Sequence, residues 1–232
     1  MVASEKSIQR MAGILFPVFS MRREGDLGIG DTTAVKQCLS WFAENSVGFL
    51  QVLPINVTGS DRSPYSAISS VALDPIYLDL GRIKGVGEAR LKKARKQCGV
   101  ALISASVDYS TVVTVQSEIL REAFGEFQKA DDSEEFEQFK KKHKAWLRNY
   151  SCYRWLIDEA GGQEDWSEWP DEFNTAEKAK RYEQRRKKQQ NGKARAEVNA
   201  AQDYYSWEQW HAFSQWEEVR AHADEVGVKL MG

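Results

Sequence analysis

The sequence predicts an α/β protein with parallel strands, and three observations support this fold class. Two short apolar runs, AGILFPVFS at 12–20 and FLQVLPI at 49–55, have the continuous hydrophobicity of strands buried on both faces. A helical segment separates them, so strand, helix and strand follow within about 45 residues and form a βαβ unit. A third apolar run, VGVKLMG at 226–232, follows a long helical region and predicts another parallel strand.

A helix is predicted between the first two strands. Asp31 stands directly before the run TTAVKQCLSWFAEN at 32–45, where an aspartate side chain can cap the free amides of the first turn. Apolar residues then recur at helical spacing along one face, namely Val35, Cys38, Leu39 and Phe42. The sequence therefore predicts an amphipathic helix that crosses over between two parallel strands.

Three glycines, Gly25, Gly28 and Gly30, precede this helix. A glycine-rich turn between a strand and a helix can bind the phosphates of a dinucleotide. The spacing here is G-x-x-G-x-G, however, and no clear ribose-binding acid closes the next strand. A tight turn of the chain explains these glycines better than a nucleotide site, and we expect no cofactor.

The composition is that of an ordinary globular protein and argues against several function classes. The 232 residues are 42% hydrophobic and 28% charged, and a net charge of −2 gives no electrostatic reason to expect nucleic acid or an anionic membrane as partner. Three distant cysteines fit neither a disulfide framework nor a zinc site, and the three histidines adjoin no nucleophile motif. Residues 1–13 lack a signal-peptide core and no apolar run reaches about 18 residues, so we expect a cytoplasmic protein.

After the second strand, DPIYLDL at 74–80 predicts a short strand or an extended segment, and from about Ile83 the pattern changes to long, charged helices. Apolar residues at helical spacing mark two amphipathic helices: Val112, Val115, Ile119, Ala123 and Phe127 in one, and Phe136, Phe139, Trp146, Tyr150, Tyr153 and Ile157 in the other. A third helical region runs from about Thr175 to Glu225. Its basic core, KAKRYEQRRKKQQNGKARAE, could bind nucleic acid, but the interspersed Glu and Gln favour a solvated helix face or a helical hairpin.

Tryptophan is frequent, with eight residues, most of them between Trp146 and Trp216. Helix–helix packing accounts for them most simply, and a sugar-binding surface is the alternative, because Trp and Tyr rings match the C–H faces of pyranose sugars. Tyr65 favours a ligand surface of this kind. The segment SPY at 63–65 places its ring among small residues, on a loop at the edge where parallel α/β proteins bind ligands.

Four separated blocks resemble the 4-alpha-glucanotransferases, the family of amylomaltases or disproportionating enzymes. They are AGILFPVFSMRREGDLGIGD, LQVLPINVTGSDRSPYSAISSVALDPIYLDL, YYSWEQWHAFSQW and the closing GVKLMG. The resemblance implies the N-terminal part of a (β/α)8 TIM barrel, incomplete in this chain, with a helical insertion subdomain. The implied division is 1–82 for the first two barrel strands and the substrate loops, 83–203 for the insertion, and 204–232 for a helix and the third barrel strand.

The resemblance also implies an activity, the transfer of α-1,4-glucan segments between maltooligosaccharides or to glucose by a retaining double displacement. One carboxylate attacks the anomeric carbon, a second carboxylic acid protonates the leaving oxygen, and an acceptor sugar completes the reaction. Ser63 and Tyr65 fall on the family's Ser-Pro-Tyr positions, where the Tyr stacks on a sugar and the Ser hydrogen-bonds the glucan. A non-catalytic glucan-binding module is the alternative.

The family's catalytic carboxylates are expected beyond the strand with which this sequence ends. No catalytic residue and no metal site is therefore assigned within residues 1–232, and we expect a fragment that transfers no glucan by itself. Some bacterial members carry a Tyr two residues after the Thr of the segment NVTGSDRSPYSAISS, at a secondary glucan site. That position is Ser60 here, which puts the secondary site in doubt.

Overall fold

Three short strands form a parallel sheet in the computed structural model, which describes residues 10–130, 133–189 and 192–232. The strands are β1 (Gly13–Leu15), β2 (Phe49–Gln51) and β3 (Lys229–Met231). Their order in the sheet is β1-β2-β3, both pairs are parallel, and the first residues of all three strands are aligned. The prediction of three parallel strands is thus confirmed.

The paired segments are shorter than the apolar runs that predict them. Pro17 follows β1 and has no amide to donate to a ladder, and a short 3-10 helix, Val18–Ser20, comes next. Among the described residues β1 pairs on one side only, and Ile14 and Leu15 are 42% and 53% exposed. Burial on both faces is therefore wrong for these two residues, whereas Leu50 of the central strand is fully buried.

The crossover helix α1 is Thr32–Glu44, and its predicted cap is confirmed. The Asp31 carboxylate accepts a hydrogen bond from the Ala34 amide, with 2.9 Å between Oδ1 and N. The predicted apolar face packs inward, since Leu39 and Phe42 are buried. The negative charge of Asp31 also interacts favourably with the helix dipole, whose positive end lies at the first turn.

The helical region that follows contains six helices among the described residues. They are α2 (Glu88–Cys98), α3 (Tyr109–Phe127), α4 (Glu134–Lys142), α5 (Lys144–Glu159), α6 (Ala176–Lys188) and α7 (Lys193–Val226). The amphipathic helix predicted around residues 136–157 is two helices, because His143 leaves helical geometry and its Nδ1 accepts from the Trp146 indole at 3.3 Å.

The segment predicted to be extended at 74–80 forms two 3-10 helices instead, Pro75–Tyr77 and Leu80–Arg82. Each begins at an aspartate whose carboxylate accepts from the amide two residues on, at 3.0 Å. Such side-chain caps compete with an extended backbone by satisfying its amides locally.

The basic core of the third helical region divides between α6 and α7, which pack against each other. Their contact is polar as well as apolar, since Gln202 on α7 donates to Glu183 on α6 at 3.0 Å. A helix pair agrees with the predicted hairpin, although residues 190 and 191 within it lie outside the described residues.

Helix α7 is the centre of packing and contacts α1, α5 and α6. Trp207 and Trp216 on this helix are buried, so helix packing accounts for most of the tryptophans as predicted. Trp41 and Trp166 differ, since each is more than half exposed.

Within the described ranges, no helix combines the length and hydrophobicity needed to cross a membrane. Most of the segment on which the signal-peptide prediction rests, residues 1–9, lies outside those ranges. The predicted boundary between residues 203 and 204 falls inside the continuous helix α7, and the division into three parts stays a prediction.

Candidate functional site

Two loops begin at the carboxyl ends of neighbouring parallel strands and define the candidate site. The first loop, residues 16–31, joins β1 to α1, and the second loop, residues 52–74, follows β2. Because the carboxyl ends of parallel strands lie at one edge of a sheet, both loops start from the same edge, where ligands of α/β proteins bind.

The second loop leaves the sheet and returns to it as a narrow excursion. Isolated antiparallel bridges join Asn56 to Leu73 and Thr58 to Ala67. The base is fixed from α7, where the buried Gln209 side chain accepts from the Leu73 amide at 2.9 Å and donates to the Leu73 carbonyl at 2.8 Å. A two-point bond of this kind determines both the position and the direction of the returning strand.

The tip of the second loop is the Ser-Pro-Tyr turn, residues 63–66. It closes with a hydrogen bond from the Ser66 amide to the Ser63 carbonyl at 3.0 Å, and Pro64 at its second position presets the required backbone angle. Asp61 Oδ1 accepts from the Ser63 amide at 3.1 Å and supports the turn from its other side.

Tyr65 is the most exposed large ring of the site, with 77% of the residue accessible. Its amide points back to the Ser63 hydroxyl oxygen at 3.4 Å, and the ring stands in solvent. Ser63 is half-buried, and among the described residues its hydroxyl hydrogen has no acceptor, so it is available to donate to a ligand. The structure thus brings the two predicted binding residues together on one turn.

The first loop is built differently, from internal ion pairs. Arg22 and Asp26 are 2.7 Å apart, and Arg23 reaches Asp31 at 2.7 Å. Burial alone would raise the pKa of Asp26, but hydrogen bonds from Arg22 and from the Gly28 amide outweigh it, so that this pKa is lowered. A cavity of about 280 Å³ lies beside these charges. Three of its charged lining groups, Arg23, Asp26 and Asp31, are already in ion pairs, so they are not free to bind a ligand.

The glycines of the first loop are explained by backbone geometry. Gly25 and Gly28 have φ of +91° and +99°, angles that residues with a Cβ rarely adopt. Gly30 is required sterically, because a Cβ there would lie 1.9 Å from the Val18 carbonyl oxygen. The interpretation of a tight turn is therefore confirmed.

A second polar cluster lies beneath the second loop, around a cavity of about 120 Å³. Its charged groups include Asp74, Arg154 of α5 and Glu208 of α7. Burial raises the pKa of both carboxyls, and Glu208 Oε2 has no hydrogen-bond partner among the described residues. Arg154 stacks on the Tyr205 ring at 4.7 Å and compensates these acids electrostatically. Glu208 is therefore a buried helical acid and not part of a solvated salt bridge.

Sequence reasoning missed three residues that fix the second loop: Gln209 at its base, Asp61 in the turn and Glu164, whose carboxylate accepts from the Ser60 amide at 2.7 Å. Asp61 carried a local signal, since an Asp two residues before a Ser-Pro step favours a turn. Gln209 and Glu164 carried none, because both act across more than a hundred residues of sequence.

The turn exposes the aromatic face of Tyr65 beside the hydroxyl group of Ser63. In the described part of the chain, no group of three or more His, Cys, Asp and Glu side chains is placed to hold a metal ion. Stacking and hydrogen bonding are the chemistry that this turn offers.

Comparison with known proteins finds one family repeatedly. The family model described as 4-alpha-glucanotransferase matches residues 16–232. A 4-alpha-glucanotransferase of Chlamydia caviae is 30% identical over 223 residues, which cover 95% of this chain and 40% of that protein. The 4-alpha-glucanotransferase DPE2 of rice is 32% identical over 162 residues, 67% of this chain and 17% of that protein.

Among solved structures, an amylomaltase from Streptococcus agalactiae in complex with acarbose superposes with a TM-score of 0.75 at 20% identity. The match covers 96% of this chain and 42% of that one. At this identity the likeness concerns the fold alone. The chain thus spans about two fifths of the length of such relatives.

Proposed function

Since this chain belongs to the 4-alpha-glucanotransferase family, we propose that it supplies the N-terminal part of an enzyme that transfers α-1,4-glucan segments between maltooligosaccharides or to glucose. The family membership is observed, and the transfer activity of this protein is what we propose. Its cytoplasmic location stays our expectation.

In this proposal the three parallel strands are the first three of a (β/α)8 barrel, and α2 to α6 belong to an insertion subdomain. The parallel order, the crossover helix α1 and the superposition with an amylomaltase support it. A three-stranded sheet leaves open edges, which the remaining strands of a closed barrel would pair.

The chain's own contribution to the reaction is binding. Tyr65 provides one wall of a glucose subsite through its ring face, and Ser63 donates a hydrogen bond to a sugar oxygen. Fixing the donor glucan in this way brings the scissile bond into register with carboxylates supplied elsewhere. In a retaining double displacement those carboxylates form and then resolve a glycosyl–enzyme, with an acceptor sugar in place of water.

The observation that carries the proposal is the exposed ring of Tyr65 on a braced turn at the ligand-binding edge of parallel strands. The apolar face of an exposed aromatic ring can stack on the C–H face of a sugar, and the turn holds this ring in one position. The neighbouring Ser63 donor makes a polyhydroxylated, ring-shaped ligand the best match.

The test is Tyr65→Ala, with Tyr65→Phe as the matched control that keeps the ring. Loss of one sugar–aromatic contact, about 1 kcal/mol, weakens maltoheptaose binding about fivefold in titration calorimetry. Tyr65→Phe binds as the wild type does, and the free energy of unfolding changes little because the side chain is exposed. Equal affinity of Tyr65→Ala and wild type would contradict the proposed role.

Catalysis is tested separately, on the protein at the full length that its gene encodes. We expect it to convert maltotriose into glucose and longer maltooligosaccharides. Glucan binding without any transfer would instead identify a non-catalytic glucan-binding module.

A further inference from the structure

We infer that Glu164 is a positioning residue, whose hydrogen bond to Ser60 holds the Ser-Pro-Tyr turn in place although the two residues are distant in sequence. Glu164 lies in the connector, residues 160–175, between α5 and α6. The inference rests on the proposed function, because it assigns the glucan-binding geometry of that turn to a contact made by the helical region.

The contact is direct and charge-assisted. Glu164 Oε2 accepts from the Ser60 amide at 2.7 Å, and this amide lies on the exposed outer part of the second loop. Hydrogen bonds to an ionised acceptor are shorter and stronger than neutral ones. The carboxylate thereby fixes a backbone position five residues before Tyr65.

Local hydrogen bonds, two between backbone groups and one to the Asp61 side chain, connect Ser60 to the turn that carries Tyr65. The Arg62 amide bonds the Gly59 carbonyl at 3.1 Å, and Asp61 accepts from the Ser63 amide. Ser63 in turn closes the turn that carries Tyr65. Residues 59–66 thus form a hydrogen-bonded segment that carries the Tyr65 ring near one end and is bonded to the Glu164 carboxylate at the other.

Two hydrogen bonds fix the backbone at Glu164 and its neighbour Gln163. The Glu164 carbonyl accepts from the Tyr153 hydroxyl of α5 at 2.8 Å, and the Gln163 carbonyl accepts from the Trp169 indole at 2.7 Å. The Tyr153 and Trp169 rings lie 5.4 Å apart, and Trp169 is buried in a cluster with Trp155, Leu156 and Phe173. The helical region thus holds the backbone from which the Glu164 carboxylate reaches Ser60.

The second loop and the connector approach each other closely at Gly59. A Cβ at this position would lie 2.8 Å from Glu164 Oε2, while its next neighbour, Ile68, would be at an ordinary 3.8 Å. The backbone angles of Gly59 lie outside the left-handed region, so that the contact with Glu164 is the steric constraint there.

The test compares Glu164→Ala, Glu164→Gln and the control Glu168→Ala, which removes an exposed carboxylate from the same connector. We expect Glu164→Ala to weaken maltoheptaose binding by up to about fivefold, because misplacing Tyr65 can cost at most the single sugar–aromatic contact that its ring makes. It should also speed hydrogen exchange at the Ser60 amide. Glu164→Gln keeps an acceptor oxygen and should restore affinity to within about twofold, and Glu168→Ala should match the wild type.

Gly59→Ala gives an independent measurement. Its methyl group displaces the Glu164 carboxylate, so it should weaken binding in the wild type and have no further effect in the Glu164→Ala background, as coupled residues do in a double-mutant cycle. Additive losses would overturn the inference.

The outcomes separate this inference from the proposed function. If Tyr65→Ala loses affinity and Glu164→Ala does not, the positioning role is wrong and the glucan site stands. If neither substitution changes affinity, the glucan site itself is wrong, and the inference fails with it. If Glu164→Gln binds as weakly as Glu164→Ala, a backbone-acceptor role is also wrong.

Discussion

The two loops that follow β1 and β2 leave the same edge of the sheet but are stabilised in opposite ways. The first loop is held mainly from within: Arg22 and Arg23 pair with its own Asp26 and Asp31, and its side-chain bonds to distant segments run from the same two arginines to Asp79 and to the Leu102 carbonyl. The second loop is held from outside, by Gln209 of α7 and Glu164 of the connector. In our proposal the first loop therefore forms scaffold, and the second presents side chains to a ligand.

Burial agrees with this division. Asp26 and Asp31 of the first loop are buried and paired, whereas the tip of the second loop places Tyr65 in solvent. A substitution in the first loop should consequently change stability, and one at the tip of the second should change binding.

Arg23→Met should have the largest effect on stability. Arg23 pairs with Asp31 at 2.7 Å and with Asp79 at 3.1 Å, and its own side chain is 15% exposed. Removing it leaves two mostly buried carboxylates without their cation, which costs about 3 kcal/mol in the free energy of unfolding. Urea denaturation measures this loss.

The contrast between the loops fails if Arg23→Met proves nearly as stable as the wild type. A suitable control is Arg181→Met, which removes an exposed arginine of α6 and should change stability by less than about 0.5 kcal/mol.

A smaller effect is expected from Asp26→Asn, and it depends on pH. The folded-state pKa of Asp26 is lowered, so its stabilisation is complete above the unfolded pKa of about 4 and disappears as pH falls through the folded pKa. We expect the variant to lose about 1–2 kcal/mol at pH 7 and to approach the wild type as the pH falls below the lowered folded-state pKa.

Denaturation at a series of pH values measures this difference. A constant gap between Asp26→Asn and wild type from pH 7 to pH 2 would show that ionisation of Asp26 does not stabilise the first loop.

Local sequence signals predicted local structure well. The Asp31 cap and the turning glycines depend on neighbours in sequence, and they were predicted correctly. The strand positions were also predicted, because apolar runs mark buried strands. Their lengths were overestimated, since hydrophobicity continues through Pro17 although the backbone can no longer pair.

The candidate site was predictable only in part. Ser63 and Tyr65 were identified from a resemblance carried by a local motif, and their shared turn follows from Pro64 between them. The support of that turn was not predictable, because Glu164 meets Ser60 only after the helical region has folded against the loop. The electrostatic compensation of Glu208 and Asp74 by Arg154 likewise depends on three distant segments.

The most direct measurement is a crystal structure of the protein with a bound maltooligosaccharide. The account predicts a glucose ring stacked on the face of Tyr65, at about 4 Å, with a sugar oxygen in hydrogen-bond range of Ser63. A glucan bound elsewhere, with the Tyr65 ring still in solvent, would contradict it.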